Sequence, residues 1–343
     1  MLINILISLG LTVLLVTGFR YVLDYEPQAW VVLAVYFTLF VSVAWFRSPR
    51  GEESGSDFPD DAPPDLSGLP LSGPFRILGR HVGGMVFLVV FTVTNLLSAL
   101  NPFQFTQMIR QMSANTRLIK RERQTGDYGT EYRNKVGYRL PFEGEWMVFS
   151  GGMTPRTSHS WDLLGQRFAL DFVQVDENLA RHAGKGIRRE DYYCHGEPIL
   201  AASDGEVVAV EDRISEAPLV GFGVCDFIAR NFVGNHVVIQ HAEGEYGLYA
   251  HLVPGSVPVT PGERVKQGQE IGRCGHSGHS SEPHLHFHLQ DSPDPFGGMG
   301  LPVRFDSLEV DGQPVAAGHV MGGQRVSNQS GARPEFTPGG AES

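Results

Sequence analysis

The sequence predicts a chain of two unlike parts, a membrane α-helical N-terminal region followed by an all-β C-terminal domain of antiparallel strands arranged as a sheet or barrel. Two observations carry this. Leu2–Phe19, Ala29–Phe46 and Val82–Leu100 are runs of 18, 18 and 19 residues without Asp, Glu, Lys or Arg, each near the ~20 residues a helix needs to cross a bilayer. From Trp146 the texture changes to short β-branched runs set apart by glycine: WMVF, FALDFV, EVVAVE, HVVIQH, GLYAHL, EIGRCG and HLHFHL. Short runs between turn signals are the pattern of an all-β domain.

In chain order, the first apolar run competes with a cleaved signal peptide. It has no basic segment before it, and a second apolar run begins nine residues after it ends, so a membrane span is the better reading. Buried helices of a soluble domain are the alternative for all three runs. Loop charge sets the orientation: the first loop carries Arg20 alone, the second Arg47, Arg50, Arg76 and Arg80. The second loop is therefore expected in the cytoplasm, with everything after Leu100 outside. Arg110, Arg117, Lys120, Arg121 and Arg123 beyond the third run pull the other way. Within the second loop, RSPRGEESGSDFPDDAPPDLSGLPLSGP is rich in Pro, Gly, Ser and Asp and cannot bury a core. Residues 103–124 read as a helix with five basic residues against one acidic, suited to anionic lipid headgroups or to a solvated connector. ASDGEVVAV and VKQGQEIG read as tight turns joining antiparallel strands.

The expected organisation is a membrane region at 1–100, with helices at about 2–19, 29–46 and 82–100 and an unstructured linker at 47–75. A juxtamembrane connector at 101–145, the β domain at 146–310 and an unstructured tail at 320–343 complete it. The chain is expected in the cell membrane as a multi-pass protein with its β domain extracytoplasmic, the lipid bilayer being one partner.

A formal charge of -11 excludes a globally basic nucleic-acid binder. The three cysteines, Cys194, Cys225 and Cys274, include no C-x-x-C pair; an outside location permits one disulfide without specifying which.

Residues 282–290 read EPHLHFHLQ. In a strand, the period of two sends His284, His286 and His288 to one face and Leu285, Phe287 and Leu289 to the other. A half-exposed, histidine-rich strand is the bland alternative. Upstream, His251 ends GLYAHL, and SHSWDLLGQRFALDF supplies His159 and Asp171. Asp171 lies between Leu170 and Phe172, where an unpaired carboxylate is costly and a ligand role is favoured. A zinc site open for catalysis takes three protein ligands, commonly His and one carboxylate. His236, His241, His276 and His279 are expected in solvated or rim positions.

GNHVVIQHAEGEYGLYAHL and VTPGERVKQGQEIGRCGHSGHSSEPHLHF resemble the core of the lysostaphin/LytM-type zinc metallopeptidases, over roughly residues 146–305. The resemblance implies a metallopeptidase core holding one zinc per chain, with His286 as a ligand and His284 and His251 as catalytic groups. The family's other two ligands usually form H-x-x-x-D. Here Arg167 stands four residues before Asp171 and cannot ligate a cation, so His159, twelve residues before Asp171, is taken as the ligand with Asp171. Where the common pattern ends PHLHFEV this chain has His288, which receives no family role.

The implied chemistry is zinc-assisted hydrolysis of peptide bonds in peptidoglycan cross-links or stems, or in another extracellular peptide. With no H-E-x-x-H glutamate, His251 or His284 must serve as general base, the other donating a hydrogen bond to the oxyanion. A rival reading is an inactive relative that binds and activates a partner cell-wall hydrolase. A lipoyl-like carrier lacks its Met-Lys hairpin tip here, and a cupin lacks the Glu ligand after its H-x-H.

Overall fold

Side-chain alternation along strands explains how the domain is layered. The computed structural model describes residues 69–125 and 132–329, with isolated positions between 8 and 36. Two units divide the chain, Met1–Asp61 and Ala62–Ser343. In the first, Thr12 Oγ1 donates to the Ser8 carbonyl at 2.7 Å; the spans expected at 2–19 and 29–46 otherwise lie outside the described residues, as does most of the 47–75 linker.

The second unit opens with a 3-10 turn, Pro74–Leu78, and two helices, α1 (Gly79–Ser98) and α2 (Pro102–Thr125). Pro74–Ser98 is long and apolar enough to cross a membrane. One flank of α1 nonetheless rests on the β domain: Thr94 Oγ1 accepts from Cys225 N at 3.2 Å, Asn95 Oδ1 meets His279 Nε2 at 2.9 Å, and Phe87 packs against Gly223. The opposite flank, with Val82, Met85, Leu88, Val89 and Val93, is exposed.

The strands are β1 (Trp146–Ser150), β2 (Leu170–Val173), β3 (Pro198–Leu200), β4 (Gly205–Glu211), β5 (Asn235–Ala242), β6 (Glu245–Leu252), β7 (Arg264–Val265), β8 (Glu270–Arg273), β9 (Leu285–Gln290), β10 (Gly300–Leu301), β11 (Phe305–Val310), β12 (Gln313–Gly318) and β13 (Arg325–Asn328). One antiparallel sheet runs β12-β11-β13-β1-β2-β9-β6-β5-β4-β7, with β10 on the end of β9; β3 and β8 form a second, small sheet. The barrel-like closure anticipated from sequence does not occur, because β12 and β7 end the ladder without pairing to each other.

Nor are the Asp204-Gly205 and Gln267-Gly268 turns hairpins between partners. They carry β3 into β4 and β7 into β8, whereas β3 pairs with β8 and β4 with β7. The two connections thus cross between the small sheet and the large one side by side. Two boundaries also shift. Tyr138, Leu140 and Phe142, assigned to the connector, are fully buried in the core, where aromatic area contributes most. Arg325–Asn328, assigned to the tail, is a strand between β11 and β1 with Val326 in the core; residues 330–343 lie outside the described residues.

On β9, Leu285, Phe287 and Leu289 enter the main core with Tyr249, Ile239, Phe172 and Phe305. The other face of the sheet carries His286 and His288, beside Ala250 and Leu248 of β6, which belong to a smaller apolar cluster with Val233 and Val238. All three cysteines are buried free thiols.

His236, His241 and His276 are buried, not solvated as expected from sequence. Each hydrogen-bonds within the fold: His236 to the Gly234 carbonyl, His241 to the Asp204 carbonyl and Tyr249 hydroxyl, and His276 to Ser280 Oγ. Burial pulls His241, His276 and His279 down from 6.5 to about 4. Each is neutral when folded and gains a proton on unfolding below pH ~6.5, so folding loses roughly 1.4 kcal/mol per group per pH unit as pH falls toward about 4. With a chelator present, the thermal midpoint should be level above pH 7 and fall steeply between pH 6.5 and 4. A midpoint unchanged across that window contradicts this reading.

Candidate metal centre

Sheet register lines the site up strand by strand. Asp171 at the middle of β2 pairs with Ser150 of β1 on one side and His286 of β9 on the other. His286 in turn pairs with Ala250 of β6, next to His251. Strand alternation buries Leu170 and Phe172 in the core and leaves Asp171 on the histidine face.

The five residues singled out from sequence come together here. Asp171 Oδ1 lies 2.9 Å from His286 Nδ1 and 3.8 Å from His284 Nε2, and Oδ2 lies 3.5 Å from His159 Nδ1. One ligand atom from each of His159, Asp171 and His286 lies within 4.8 Å of the other two, close enough to share an ion after a small rotation. The rings of His251 and His284 stand 4.7 Å apart, and those of His251 and His286 5.9 Å. His159 is the most open member, its Nδ1 held 2.8 Å from Ser150 Oγ.

Hydrogen bonds fix the protons. His251 Nδ1 lies 2.8 Å from the Ser277 carbonyl, and His284 Nδ1 2.8 Å from the Glu282 carbonyl. A carbonyl can only accept, so both Nδ1 atoms carry hydrogen and both Nε2 lone pairs are left for chemistry. His251 is held by a left-handed backbone, φ 63°, a conformation that costs a non-glycine residue energy and clusters at functional sites. Gly234 lets the 277 segment approach: a Cβ there would sit 2.3 Å from the Ser277 oxygen.

His288 belongs to the site as well. Gln290 Nε2 donates to the Ser292 carbonyl at 2.6 Å, which turns Gln290 Oε1 toward His288 Nε2 at 2.9 Å. His288 Nε2 must then carry the proton, and His288 Nδ1 accepts from His286 Nε2 at 3.0 Å. That leaves His286 with a bare Nδ1 facing the Asp171 carboxylate. Two acceptors 2.9 Å apart call for a cation beside them, so the donor set fits a divalent metal better than it fits an ordinary polar cluster.

Electrostatics agree. Burial would raise the Asp171 carboxyl, but His159, His286 and His284 outweigh it and hold the group well below the usual carboxylate range. Burial keeps His286 below the usual imidazole value, against the pull of Asp171. Burial and the neighbouring His284 and His286 hold His251 well below it, and burial takes His288 down to about 3. Neutral imidazoles are what metal ligation requires.

His288 and Gln290 were within reach of the sequence, since they extend the period of two from His286. Ser277, Glu282 and Ser150 were not, because they act through backbone carbonyls or across strands from distant segments.

Residues 184–297 match the model of Peptidase family M23. That segment includes His251, His284 and His286 and begins after His159 and Asp171. Among curated relatives, the cell division protein DipM of Caulobacter vibrioides is 32% identical over 134 residues, 39% of this chain and 18% of that protein. The peptidoglycan DD-endopeptidase ShyA of Vibrio cholerae is 25% identical over 174 residues, 51% of this chain and 32% of that protein. The glycyl-glycine endopeptidase ALE-1 of Staphylococcus capitis is 37% identical over 99 residues, 28% of this chain and 22% of that protein. The chain thus spans less than a third of these relatives' lengths. Among solved structures, the catalytic domain of lysostaphin from Staphylococcus simulans aligns with 51% of this chain and 92% of its own, at 20% identity and a TM-score of 0.25.

Substituting His288 by Phe, or Gln290 by Leu, removes the acceptor that sets the His286 proton. Either change should weaken divalent-metal affinity about 10- to 100-fold with the β-sheet intact, measured by competition with a chromophoric chelator alongside circular dichroism. Unchanged affinity in both variants would show that the relay does not orient His286.

Proposed function

We propose that the Peptidase M23 domain of this chain is a zinc-dependent endopeptidase acting at a membrane surface on peptide bonds, with peptidoglycan cross-links or stems as the substrate class. The observation that carries this is the convergence of His159, Asp171 and His286 beside two further imidazoles whose Nε2 atoms are free. His159, Asp171 and His286 would hold the metal. Zinc, when bound, supplies Lewis acidity, lowering the pKa of an attacking water toward ~7 and polarising the scissile carbonyl.

The chain's own groups handle the proton. His251, walled in by His284 and His286, is the base that takes it from the attacking water at Nε2. His284 Nε2, 3.8 Å from Asp171 Oδ1, is placed to donate to the developing oxyanion once it carries a proton. Ser277 and Glu282 keep both rings turned the right way. Each acid or base group contributes typically 10²–10⁴-fold.

Support for the substrate class comes from relatives named as peptidoglycan endopeptidases, matched over part of their length. Support for a membrane location comes from the exposed apolar flank of α1. A second reading, an inactive domain that activates a partner hydrolase, draws on the M23 match beginning at residue 184, beyond two of the three candidate ligands.

Purified full-length protein should bind one equivalent of zinc and release new muropeptides from cell walls. His286→Ala should lose both properties, whereas His284→Ala should keep the metal and lose cleavage by at least about 100-fold. Zinc bound with no cleavage of any muropeptide favours the activator; equal metal loss in the two variants makes the H-x-H pair a plain chelate.

A further inference from the structure

His159 is carried by a loop that the β-sheet alone does not hold. The 158–167 segment lies in the connection between β1 and β2 and brings His159 to the site. Within it, Ser158 Oγ donates to the Arg167 carbonyl at 2.8 Å and Ser160 Oγ to the Gln166 carbonyl at 2.6 Å, which closes the loop on itself. Gly165 packs on Gly298 and Gly300 at the β9–β10 end of the sheet, and polar attachments come from α2.

Two residues of that helix make them. Asn115 holds the loop at two points, Nδ2 donating to the Asp162 carbonyl at 2.9 Å and Oδ1 accepting from Leu164 N at 2.8 Å. Two turns further on, Glu122 forms a buried ion pair with Arg167. Arg167 also donates from Nε to the Trp161 carbonyl at 3.2 Å and lies 4.9 Å over the Trp161 ring. The residue that stands four positions before Asp171, and cannot ligate, therefore ties the His159 loop to a helix 45 residues upstream. The first turns of α2 are fixed elsewhere: Gln104 and Gln107 hydrogen-bond the 226–232 backbone, close to Val233, whose carbonyl accepts from His251 N.

We infer that α2 is a clamp on the metal centre, with Asn115 and Glu122 as positioning residues that set His159 against Asp171 and His286, so that zinc affinity depends on α2 being docked. The inference rests on the proposed zinc site. Coupling of this kind is reciprocal: if docking tightens zinc binding, zinc must tighten docking by the same factor. Because only the turn at 99–101 separates α2 from α1, the state of the apolar helix is conveyed to the third ligand across three residues.

The test measures zinc affinity of the full-length protein in detergent, by competition with a chromophoric chelator, for wild type, Asn115→Ala and Glu122→Gln. Arg110→Gln, which removes an exposed α2 pair with Asp294, serves as control. Amide hydrogen exchange of α2 with and without zinc gives a second readout. Asn115→Ala and Glu122→Gln should each bind zinc about 10- to 100-fold more weakly, with the control within twofold, and zinc should slow exchange in α2 of wild type more than in either variant. Asn115 sits at an exposed bond, so its variant keeps the question answerable if Glu122→Gln folds poorly. Affinity within twofold of wild type in Asn115→Ala, or exchange in α2 indifferent to zinc, overturns the clamp while leaving the zinc site standing. Wild type that binds no zinc overturns the site itself, and the clamp with it.

Discussion

Asp171 places a negative charge in the middle of a large β-sheet, between two residues that belong to the hydrophobic core. A buried carboxylate without partners is expensive, and the surrounding structure answers that constraint. Three imidazoles gather on it, from β9, from the turn before β9 and from the loop after β1. Each is then oriented by a carbonyl, a hydroxyl or another imidazole. The relay from Ser292 through Gln290 and His288 to His286 is the longest of these supports. It leaves a nitrogen lone pair directed at the carboxylate, an arrangement that suits a bound cation.

The same constraint orders the periphery. The sheet fixes Asp171 and His286 through register, so their relation is as rigid as the core beneath them. His159 lies outside that guarantee, and His251, though within β6, sits at a left-handed irregularity of the strand. His251 depends on the close approach of Gly234 to Ser277, and His159 on a loop fastened to α2. Helix α2 touches the segments behind both, which makes the candidate site a joint product of the β domain and the helices before it.

Much of this was legible in the sequence, for physical reasons. A period of two in LHFHLQ is enough to put histidines on one face and core residues on the other, and a carboxylate inside FALDFV is conspicuous because it has no business in a core. Helix α2 followed from composition over 103–124. Long-range pairing was hidden. Nothing local in YRL or RVSN marks them as core and inner strand, since their burial depends on pairing with other strands, β1 for RVSN lying about 180 residues upstream. The turns at Gly205 and Gly268 looked like hairpins because turn chemistry reports a reversal and not which strand receives it. Arg167 was visible only as a missing ligand; its partner Glu122 is separated from it by the whole of β1.

The central claim is the ligand set, and zinc X-ray absorption on the purified protein tests it most directly. The account predicts two imidazole nitrogens and one carboxylate oxygen, with water completing four-coordination, at about 2.0 to 2.2 Å, and loss of one imidazole from that shell in His159→Ala. A shell of three or more imidazoles, a sulfur scatterer, or a spectrum unchanged by His159→Ala would contradict it.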